Sequence, residues 1–522
     1  MVYPKSGAKI VLTASAAEIS QYGGEAFKAF TCTFPYKLTK SLKQFQVPER
    51  NKDGSSKFAP FGLRVVESIL ADRFGEENVV VCHPYDLDEF VGPKTKAVGI
   101  STMDPAGLGY VSVTYNSIIG VGGVAHDAAS FEELLESPVL YRHTPKVIVG
   151  GQGAWQISDA GLDEKFRIDT LVDGQGTNEI IHIFDAALKG EKLPKSVTTE
   201  KPDYEHVPLI KGAACYGAVE ITRGCGRGCK FCGPTAHGYV RSFPLEHIMK
   251  NVATNVKNGS DMIFTVGEDT FLYGASAANG FKPNTKAVVQ LYKSIAEYPG
   301  VKKVHLSHAS LAPVLHDEKL LEQLTPILIE KSGRTLNGHS YITVEVGVES
   351  GSTRIMNMYN KGKAMPFKVD EWPELVKEGL KLMNDYEWNP LITIITGWPD
   401  ETEDDNLATL QLIDDLKGYK IFIVPNLFIP LKEASLRNER RMDLRNLSET
   451  QWEIIASAWT HNVNTWADND TYKTYARFAK VGAICLAPYI LKKHGSKALK
   501  PVLNFAIGRK ALKRCDPNHC KD

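Results

Sequence analysis

Short apolar runs and amphipathic stretches alternate along the first 190 residues of the chain. Between the first two runs, residues 61–74 repeat apolar positions at helical spacing. Continuous apolar runs that end in polar or glycine residues are typical of parallel strands buried on both faces, and they occupy residues 9–13, 78–82, 97–101 and 146–150. The pattern predicts an α/β fold that begins with a doubly wound, Rossmann-like sheet, which binds ligands at the carboxyl ends of its strands.

Two segments interrupt this alternation. Residues 20–60 are rich in Lys, Phe, Gly and Pro, and we interpret them as a loop inserted into the first domain. Residues 191–212 contain Lys, Pro, Thr and Glu but few apolar side chains, which is typical of a linker. The first domain is therefore predicted to cover residues 1–190.

A second alternation of strands and helices follows the linker. Six strand-like runs are predicted, at residues 218–222, 262–266, 303–307, 341–347, 390–396 and 421–425. Six strands with intervening helices favour a partial (β/α)6 barrel over residues 213–434. In such a barrel the chemistry belongs on the loops that follow the carboxyl ends of the strands.

Residues 435–522 read as a small helical domain. Ser448 is placed to cap a helix, and Gln451 stands at the third helical position, as in a capping box. A second helical run is predicted from Asp470 to Lys493.

Composition and charge narrow the classes of partner. The formal net charge of the 522 residues is zero, which gives no general attraction to nucleic acid or to an anionic membrane. The N-terminus lacks a signal-peptide pattern, and the longest C-terminal apolar run, residues 481–491, is too short to span a bilayer. Nine cysteines, an odd number, do not suggest a disulfide framework. A cytoplasmic protein is expected, without nucleic acid or membrane as partner.

Three of those cysteines lie within eight residues and follow the first barrel strand. Cys225, Cys229 and Cys232 have the spacing C-x3-C-x2-C, with glycines interspersed that let a loop wrap a bulky inorganic core. Three thiolates hold three irons of a four-iron cluster and leave the fourth iron open for another ligand. A zinc site is the alternative, although zinc normally takes a fourth protein ligand or a catalytic water.

This cysteine motif, with Phe231 before its last cysteine, resembles the signature of the radical S-adenosylmethionine (SAM) enzymes. The resemblance implies that SAM binds the open iron and that Phe231 lies near the adenine. Other segments resemble SAM-facing turns of the same family and add predicted SAM contacts at strand ends. These predicted contacts are Gly267 and Glu268 after the second strand, Ser307 at the end of the third, Glu349 and Ser350 after the fourth, and Gly397 after the fifth. An ordinary turn is the alternative at Gly267 and Glu268, and a structural role is the alternative at Gly397.

Two glycine-rich turns in the first domain resemble those of cobalamin-binding domains fused to radical SAM barrels. One comprises Gly150, Gly151 and Gln152, and the other contains Gly174 and Gly176. The resemblance implies a cobalamin-binding domain over residues 1–190. A nucleotide-binding Rossmann domain is the alternative, but the first strand is not followed by G-x-G-x-x-G.

The loop after residues 97–101 lacks the Asp-x-His-x-x-Gly motif with which some cobalamin proteins bind cobalt from below. Asp104, Leu108 and Tyr110 are the candidates to lie under the corrin instead. Without a strong lower ligand, transfer of a methyl group as a radical should be easier.

The resemblance implies a cobalamin-dependent radical SAM methyltransferase with a 4Fe–4S cluster, SAM and cobalamin as cofactors. A 5′-deoxyadenosyl radical would take hydrogen from an unactivated carbon, and methylcobalamin would supply the methyl group. No general acid or base is predicted. Ferredoxin or flavodoxin is the expected type of electron donor.

The inserted loop and the helical tail are most similar to those of archaeal enzymes that methylate the α-carbon of a glutamine in methyl-coenzyme M reductase. The implied partner is the alpha subunit of that reductase, and the implied process is post-translational modification. Alternatives are an arginine or small-molecule methyltransferase, a cobalamin radical SAM cyclase of the tetrapyrrole type, and a non-enzymatic scaffold or sensor that carries a cluster.

The last residues contain three further soft ligands. Cys515, His519 and Cys520 could bind a metal, with Cys485 as a fourth ligand, or they could belong to a reducible tail without such a role.

Overall fold

The structure, a computed structural model, describes residues 7–466 except 25, 120–122, 175, 200–206, 234–237, 277–279 and 337, together with a few positions between 491 and 503. The chain divides into two compact units. The first comprises Met1–Val219, Phe243–Phe264 and Pro299–Val301, and the second comprises Glu220–Ser242, Thr265–Tyr298 and Lys302–Asp522.

A six-stranded sheet organises the first unit. Every neighbouring pair of its strands is parallel. From one edge to the other the strands are Val79–Val81, Ile10–Ala14, Ala97–Ser101, Lys146–Gly150, Thr170–Asp173 and Ser196–Thr198. The order reverses between the second and third of these strands, which creates a topological switch point at their carboxyl ends.

Both faces of this sheet are buried, as the continuous apolar runs predict. Alternate residues of one strand belong to different apolar cores: Val11 packs in one and Ile10 and Leu12 in the other. The predicted doubly wound α/β architecture is therefore confirmed. The longer helices of this unit are Phe61–Phe74, Tyr110–Ile119, His126–Leu135, Pro138–His143, Ala154–Asp159, Thr177–Lys189 and Leu245–Lys257.

Two segments of the first unit differ from their predicted forms. Residues 20–60, predicted as an inserted loop, contain short helices, among them Tyr36–Thr39 and Lys40–Phe45, and they bury Tyr22 and Cys32. The predicted linker contributes the edge strand Ser196–Thr198. Periodicity misses elements of this size because three to six residues make hardly more than one repeat.

The second unit contains a four-stranded sheet that corresponds to the later strands of the predicted partial barrel. His308–Ala309, Glu345–Glu349, Leu391–Thr396 and Phe422–Leu427 form a parallel sheet in that order. Three earlier strands, Ala218–Glu220, Met262–Val266 and Lys303–Leu306, precede it in the chain. The longer helices are Thr285–Ala296, Leu311–His316, Lys319–Ile329, Trp372–Asp385, Glu403–Asp415 and Glu449–Trp466.

The carboxyl ends of the three earlier strands lie side by side. The amide of Ile221 donates to the carbonyl of Val266 at 2.9 Å, and the amide of Ser307 donates to the carbonyl of Thr265 at 3.0 Å. The loops that carry the cysteines, Glu268 and Ser307 therefore leave one common edge.

The last described helix begins as predicted. The amide of Gln451 donates to the Ser448 hydroxyl at 3.2 Å, and the amide of Ser448 donates to the Gln451 side chain at 2.9 Å. This reciprocal pair forms a capping box. Most of the second predicted helical run lies outside the described residues, as do Cys485, Cys515, His519 and Cys520. No helix in the described part of the chain is long and apolar enough to cross a membrane.

Candidate active site

The cysteine loop follows the short strand Thr222–Arg223 in the second unit. Its glycines at 224, 226 and 228 adopt positive φ angles of 72°, 72° and 67°. At Gly224 a Cβ atom would lie 2.8 Å from the carbonyl oxygen of Gly238, so a larger residue would push two loop segments apart. The loop therefore requires glycine for its own path.

The three thiols are close enough to affect one another electrostatically. Burial, and after it negative charge on Cys229 and Cys225, raises the pKa of the Cys232 thiol to about 12. Burial likewise raises the pKa of Cys229 to about 11. Metal binding requires thiolates, so an iron–sulfur cluster would displace these protons.

The chemistry and spacing of the three sulfurs fit a four-iron cluster better than a single metal ion. Among the described residues no group of three or more His, Cys, Asp or Glu side chains is gathered as a single metal ion requires. A four-iron cluster instead needs three thiols on a loop that can wrap a larger core. Cys225, Cys229 and Cys232 provide that donor set.

Arg227 anchors the loop between its first two cysteines. The guanidinium is buried and donates to the carbonyls of Gly362 and Met365 at 2.9 and 3.1 Å. It also donates to the Asp269 carboxylate at 3.1 Å and to the Ser310 hydroxyl at 2.7 Å. These contacts fix the loop against the segment after the fourth barrel strand and the turn after the second.

Two predicted SAM contacts, Gly267 and Ser307, meet directly. The amide of Gly267 donates to the Ser307 hydroxyl at 3.1 Å, and that hydroxyl donates to the carbonyl of Gly267 at 2.9 Å. A Cβ atom at Gly267 would lie 2.3 Å from the Thr222 hydroxyl, so glycine is needed for this close approach. Burial raises the pKa of the adjacent Glu268 carboxyl to about 7.

Glu349 and Ser350, predicted as a pair of SAM contacts, have different surroundings. The Glu349 carboxylate accepts a hydrogen bond from Thr393 at 3.1 Å and forms an ion pair with Lys363 at 2.8 Å. The Ser350 hydroxyl lies 3.1 Å from the Thr409 hydroxyl and accepts from the amide of Ser352. The polar partners of Ser350 thus belong to the turn and to the helix behind it.

Phe231 meets the turn that contains Gly397. Its ring contacts the Trp398 ring edge to face, with centroids 5.5 Å apart. The amide of Gly397 donates to the Glu401 carboxylate at 2.8 Å, and the Gln451 side chain donates to the same oxygen at 2.7 Å. The sequence motifs at 231 and 397 are therefore neighbours in space, as the prediction that both lie near SAM requires.

Several buried polar atoms at the barrel strand ends have no protein partner. They are the hydroxyls of Thr222 and Thr396, one carboxylate oxygen of Glu268 and the side-chain oxygen of Asn426. Buried polar atoms are normally hydrogen-bonded, so unpaired ones mark a place for a polar ligand. SAM, with its ribose hydroxyls and amino acid group, fits such a lining.

In the first unit, Asp104 organises the loop at the switch point. Its carboxylate accepts hydrogen bonds from the amide of Gly109 at 2.9 Å and from Ser112 at 2.5 Å. Gln156 donates to the same carboxylate at 2.8 Å, and its side-chain oxygen accepts from the amides of Ala106 and Leu108. Asp104 and Gln156 thus hold the loop that contains Leu108.

The upstream part of this loop contacts the turn after the first strand. The Glu18 carboxylate accepts hydrogen bonds from the amide of Met103 at 3.0 Å and from the Thr102 hydroxyl at 3.1 Å. Burial raises the pKa of Glu18 to about 7. Met103 is 66% exposed, and Tyr110 begins the helix that follows the loop. Hydrogen bonds therefore hold this loop in place at the sheet edge where doubly wound folds bind ligands.

The glycine turns of the first unit require glycine for internal packing. At Gly151 a Cβ atom would lie 2.4 Å from the carbonyl oxygen of Thr102. At Gly174 it would lie 2.3 Å from the Thr199 hydroxyl, which also accepts a hydrogen bond from the amide of Gly176. The first turn, at Gly150–Gln152, therefore lies against the start of the Asp104 loop. The second turn, at Gly174 and Gly176, lies against Thr199 at the end of the edge strand.

Sequence reasoning missed Arg227, Lys363, Glu401, Asn426, Glu18 and Gln156. Arg227 lies inside the cysteine motif and Glu401 inside the turn motif, so their positions were a usable signal. Lys363, Glu18 and Gln156 belong to stretches without any motif, and only folding brings them to the site residues.

Part of the chain matches a known protein family. Residues 219–413 match the model of the Radical SAM superfamily. This match agrees with the prediction of an iron–sulfur cluster and SAM as cofactors.

Curated relatives are distant in sequence. The tRNA-2-methylthio-N(6)-dimethylallyladenosine synthase of Marinomonas sp. (strain MWYL1) is 24% identical over 286 residues, which are 53% of this chain and 57% of that protein. The enzyme of the same name from Nitrosomonas europaea is 25% identical over 321 residues, which are 59% of this chain and 66% of that protein. The chain thus spans a little more than half the length of the first of these relatives.

Solved structures with a similar fold cover more of the chain. The radical SAM methyltransferase TsrM from Kitasatospora setae, with cobalamin and a 4Fe–4S cluster bound, matches with a TM-score of 0.51 and 14% identity over 82% of this chain and 74% of TsrM. A TsrM structure with tryptophan and a SAM analogue gives the same TM-score over 81% of this chain and 75% of TsrM. Residues 219–413 thus match the radical SAM superfamily, and the chain resembles TsrM in fold.

Proposed function

We propose that this protein is a cobalamin-dependent radical SAM methyltransferase that methylates an unactivated carbon. The observation that carries the proposal is the gathering of the cysteine loop with Phe231, Gly267, Glu268 and Ser307 at the strand ends of the second unit. The parallel sheet of the first unit, with its switch-point loop at Asp104, provides a platform for cobalamin.

Each cofactor would be held by its own set of residues. Cys225, Cys229 and Cys232 would hold the cluster. Gly267, Glu268, Glu349 and the Phe231–Gly397 wall would hold SAM. Cobalamin would lie on the loop of Asp104, Leu108 and Tyr110, with the turns at Gly150–Gln152 and Gly174–Gly176 at its side. When bound, these groups would supply a radical that abstracts a hydrogen atom from carbon and a methyl group that can be transferred.

The residues of the chain would position and shield the reactants. Arg227 and Asp269 keep the cysteine loop in place. Glu401 fixes the turn at Gly397 through a hydrogen bond. The rings of Phe231 and Trp398 would cover one side of the proposed SAM site and exclude water from it. Holding the reactants at contact distance and excluding water are the contributions that such a reaction needs from a protein.

For the substrate, we propose the α-carbon of a glutamine in the alpha subunit of methyl-coenzyme M reductase. Its support is the resemblance of residues 20–60 and of the C-terminal region to the archaeal glutamine methyltransferases. Arginine peptides and small molecules remain the alternatives within the same chemistry, and the tetrapyrrole-type cyclases would transfer no methyl group.

A second candidate comes from the names of the curated relatives, which modify tRNA. The zero net charge of this chain gives no general attraction to a polyanion. Because the relatives' names nevertheless point to tRNA, the experiment below includes tRNA as a separate substrate.

Anaerobic turnover tests the proposal. The protein is reconstituted with iron, sulfide and hydroxocobalamin, then given reductant, SAM and one substrate at a time: a glutamine peptide of the reductase, an arginine peptide of the same protein, or tRNA. We expect the glutamine peptide to gain one methyl group, with 5′-deoxyadenosine and S-adenosylhomocysteine formed in equal amounts. Cys229→Ala, reconstituted identically, is the control for background chemistry.

The other outcomes separate the parts of the proposal. Methylation of the arginine peptide alone would retain the chemistry and overturn the glutamine assignment. A gain of methylthio on tRNA would replace the proposed function with that of the relatives. Absence of 5′-deoxyadenosine in every arm, with a full cluster present, would contradict radical SAM chemistry.

A further inference from the structure

Lys363 lies in a segment that is fixed against the cysteine loop. The carbonyl of Tyr359 accepts a hydrogen bond from the amide of Lys230 at 2.9 Å. The carbonyls of Gly362 and Lys363 accept from the Arg227 guanidinium at 2.9 and 3.3 Å. At Gly362 a Cβ atom would lie 1.9 Å from the carbonyl oxygen of Arg227, so the two backbones are in direct contact.

The ammonium group of Lys363 is fixed by the fourth barrel strand. It lies 2.8 Å from the Glu349 carboxylate and donates to the carbonyl of Gly347 at 3.2 Å. The side chains of Lys363 and Glu349 are only 16% and 5% exposed. The backbone carbonyl and the ammonium group of Lys363 are both hydrogen-bonded, and solvent is largely excluded from the side chain. The positive charge therefore has a defined position and is weakly screened.

This charge belongs to a residue that is bonded to the cysteine loop, because the Lys363 carbonyl accepts a hydrogen bond at 3.3 Å from Arg227, which lies between Cys225 and Cys229. Burial by itself would lower the pKa of Lys363, but the Glu349 carboxylate raises it above its ordinary value. Lys363 is therefore a permanent cation beside the loop.

We propose that the positive charge of Lys363 makes the reduction potential of the cluster held by this loop less negative, and that the Glu349 carboxylate partly offsets this effect. The proposal rests on the proposed cluster at Cys225, Cys229 and Cys232. Reduction adds one electron to the cluster, and a fixed cation nearby stabilises that added negative charge. Net charge and solvent exposure around a cluster are the means by which a protein shifts its potential. Lys363 is thus a positioning and tuning residue and need not touch the substrate.

Redox titration of the reconstituted protein, monitored by the electron paramagnetic resonance signal of the reduced cluster and without SAM, tests this proposal. Lys363→Met removes the charge but keeps much of the side-chain length, and we expect a more negative midpoint potential. Lys363→Arg keeps the charge and should stay near the wild-type value. Lys361→Met removes an exposed lysine from the same turn and is the matched control.

Glu349→Gln provides a test that does not depend on the stability of Lys363→Met. Removing the carboxylate leaves Lys363 uncompensated, so the midpoint potential should become less negative. Opposite shifts in the two variants are expected only if charge is the cause, since loosened packing would move both in one direction. If Lys363→Met cannot hold a cluster, the shift in Glu349→Gln decides.

The results distinguish this proposal from the proposed function. A wild-type protein that binds no four-iron cluster would overturn the proposed function itself. A cluster with normal iron content, but with the same potential in the wild type, Lys363→Met and Glu349→Gln, would overturn only the role of Lys363.

Discussion

The guanidinium of Arg227 donates a hydrogen bond to the carboxylate of Asp269 at 3.1 Å, and only 4% and 2% of the two side chains are exposed. The pair joins the cysteine loop after the first barrel strand to the turn after the second. Both residues belong to the neighbourhood in which SAM and the cluster would meet.

Arg227→Ala should prevent the loop from holding its cluster. The change leaves the Asp269 carboxylate buried without its cation and frees the carbonyls of Gly362 and Met365, and breaking a buried pair in this way costs about 3–5 kcal/mol. Iron content after reconstitution and the melting temperature measure the effect. Arg445→Ala, which removes an exposed arginine from its ion pair with Asp443, is the control and should change both measurements little, because exposed ion pairs contribute little to stability. Equal iron content in both variants would contradict the role of Arg227.

Cys229→Ala should abolish SAM cleavage and leave cobalamin bound. One thiolate fewer leaves an iron without its protein ligand, whereas the proposed cobalamin site lies on another sheet. The measurement is 5′-deoxyadenosine formation together with the visible spectrum of bound cobalamin. Cys215→Ala removes a buried thiol outside the motif and is the control. Production of 5′-deoxyadenosine by Cys229→Ala would show that the cluster assignment is wrong.

Gln156→Ala should weaken the retention of cobalamin. Without its side chain the amides of Ala106 and Leu108 and the Asp104 carboxylate each lose a hydrogen bond, at about 1 kcal/mol for a typical bond. The loop under the proposed corrin would then be less ordered. Cobalamin per chain after gel filtration measures this effect, and Ser158→Ala, an exposed position on the same helix, is the control. Unchanged retention in Gln156→Ala would argue against this loop as the platform.

Glu401 should make stability depend on pH. Burial raises the pKa of its carboxyl from 4.5 to about 7, so between these values the folded protein binds a proton that the unfolded chain releases. This contribution to stability is present below pH 4.5 and is lost as the pH rises through about 7, at about 1.4 kcal/mol for each unit of pKa difference.

Comparison of melting temperatures at pH 5 and pH 8 checks this prediction. Glu401→Gln cannot ionise, so its melting temperature should fall less than that of the wild type when the pH is raised from 5 to 8. Glu403→Gln, on the adjacent helix, serves as the control because no comparable burial acts on it. The same pH dependence in the wild type and Glu401→Gln would show that this carboxyl does not titrate in the range.

Much of the fold could be predicted from local pattern. The strands at 97–101 and 146–150 and the helix at 61–74 have the predicted bounds, because apolar runs and helical periodicity are local properties of the chain. The capping box at Ser448 was predicted for the same reason. The short helices within residues 20–60 and the edge strand Ser196–Thr198 were not, since they span too few residues to establish a period.

The sequence by itself determined the chemistry of the candidate site, because Cys225, Cys229 and Cys232 are adjacent in the chain and their spacing alone defines a donor set. Only the tertiary structure decided which distant residues support that set. Lys363 is more than a hundred positions from the cysteines, and its backbone meets their loop through the hydrogen bond from Arg227. Gln156 supports the Asp104 loop from a separate helix. Such partners leave no local signal, because hydrogen bonds and ion pairs depend on distance in space and not on separation along the chain.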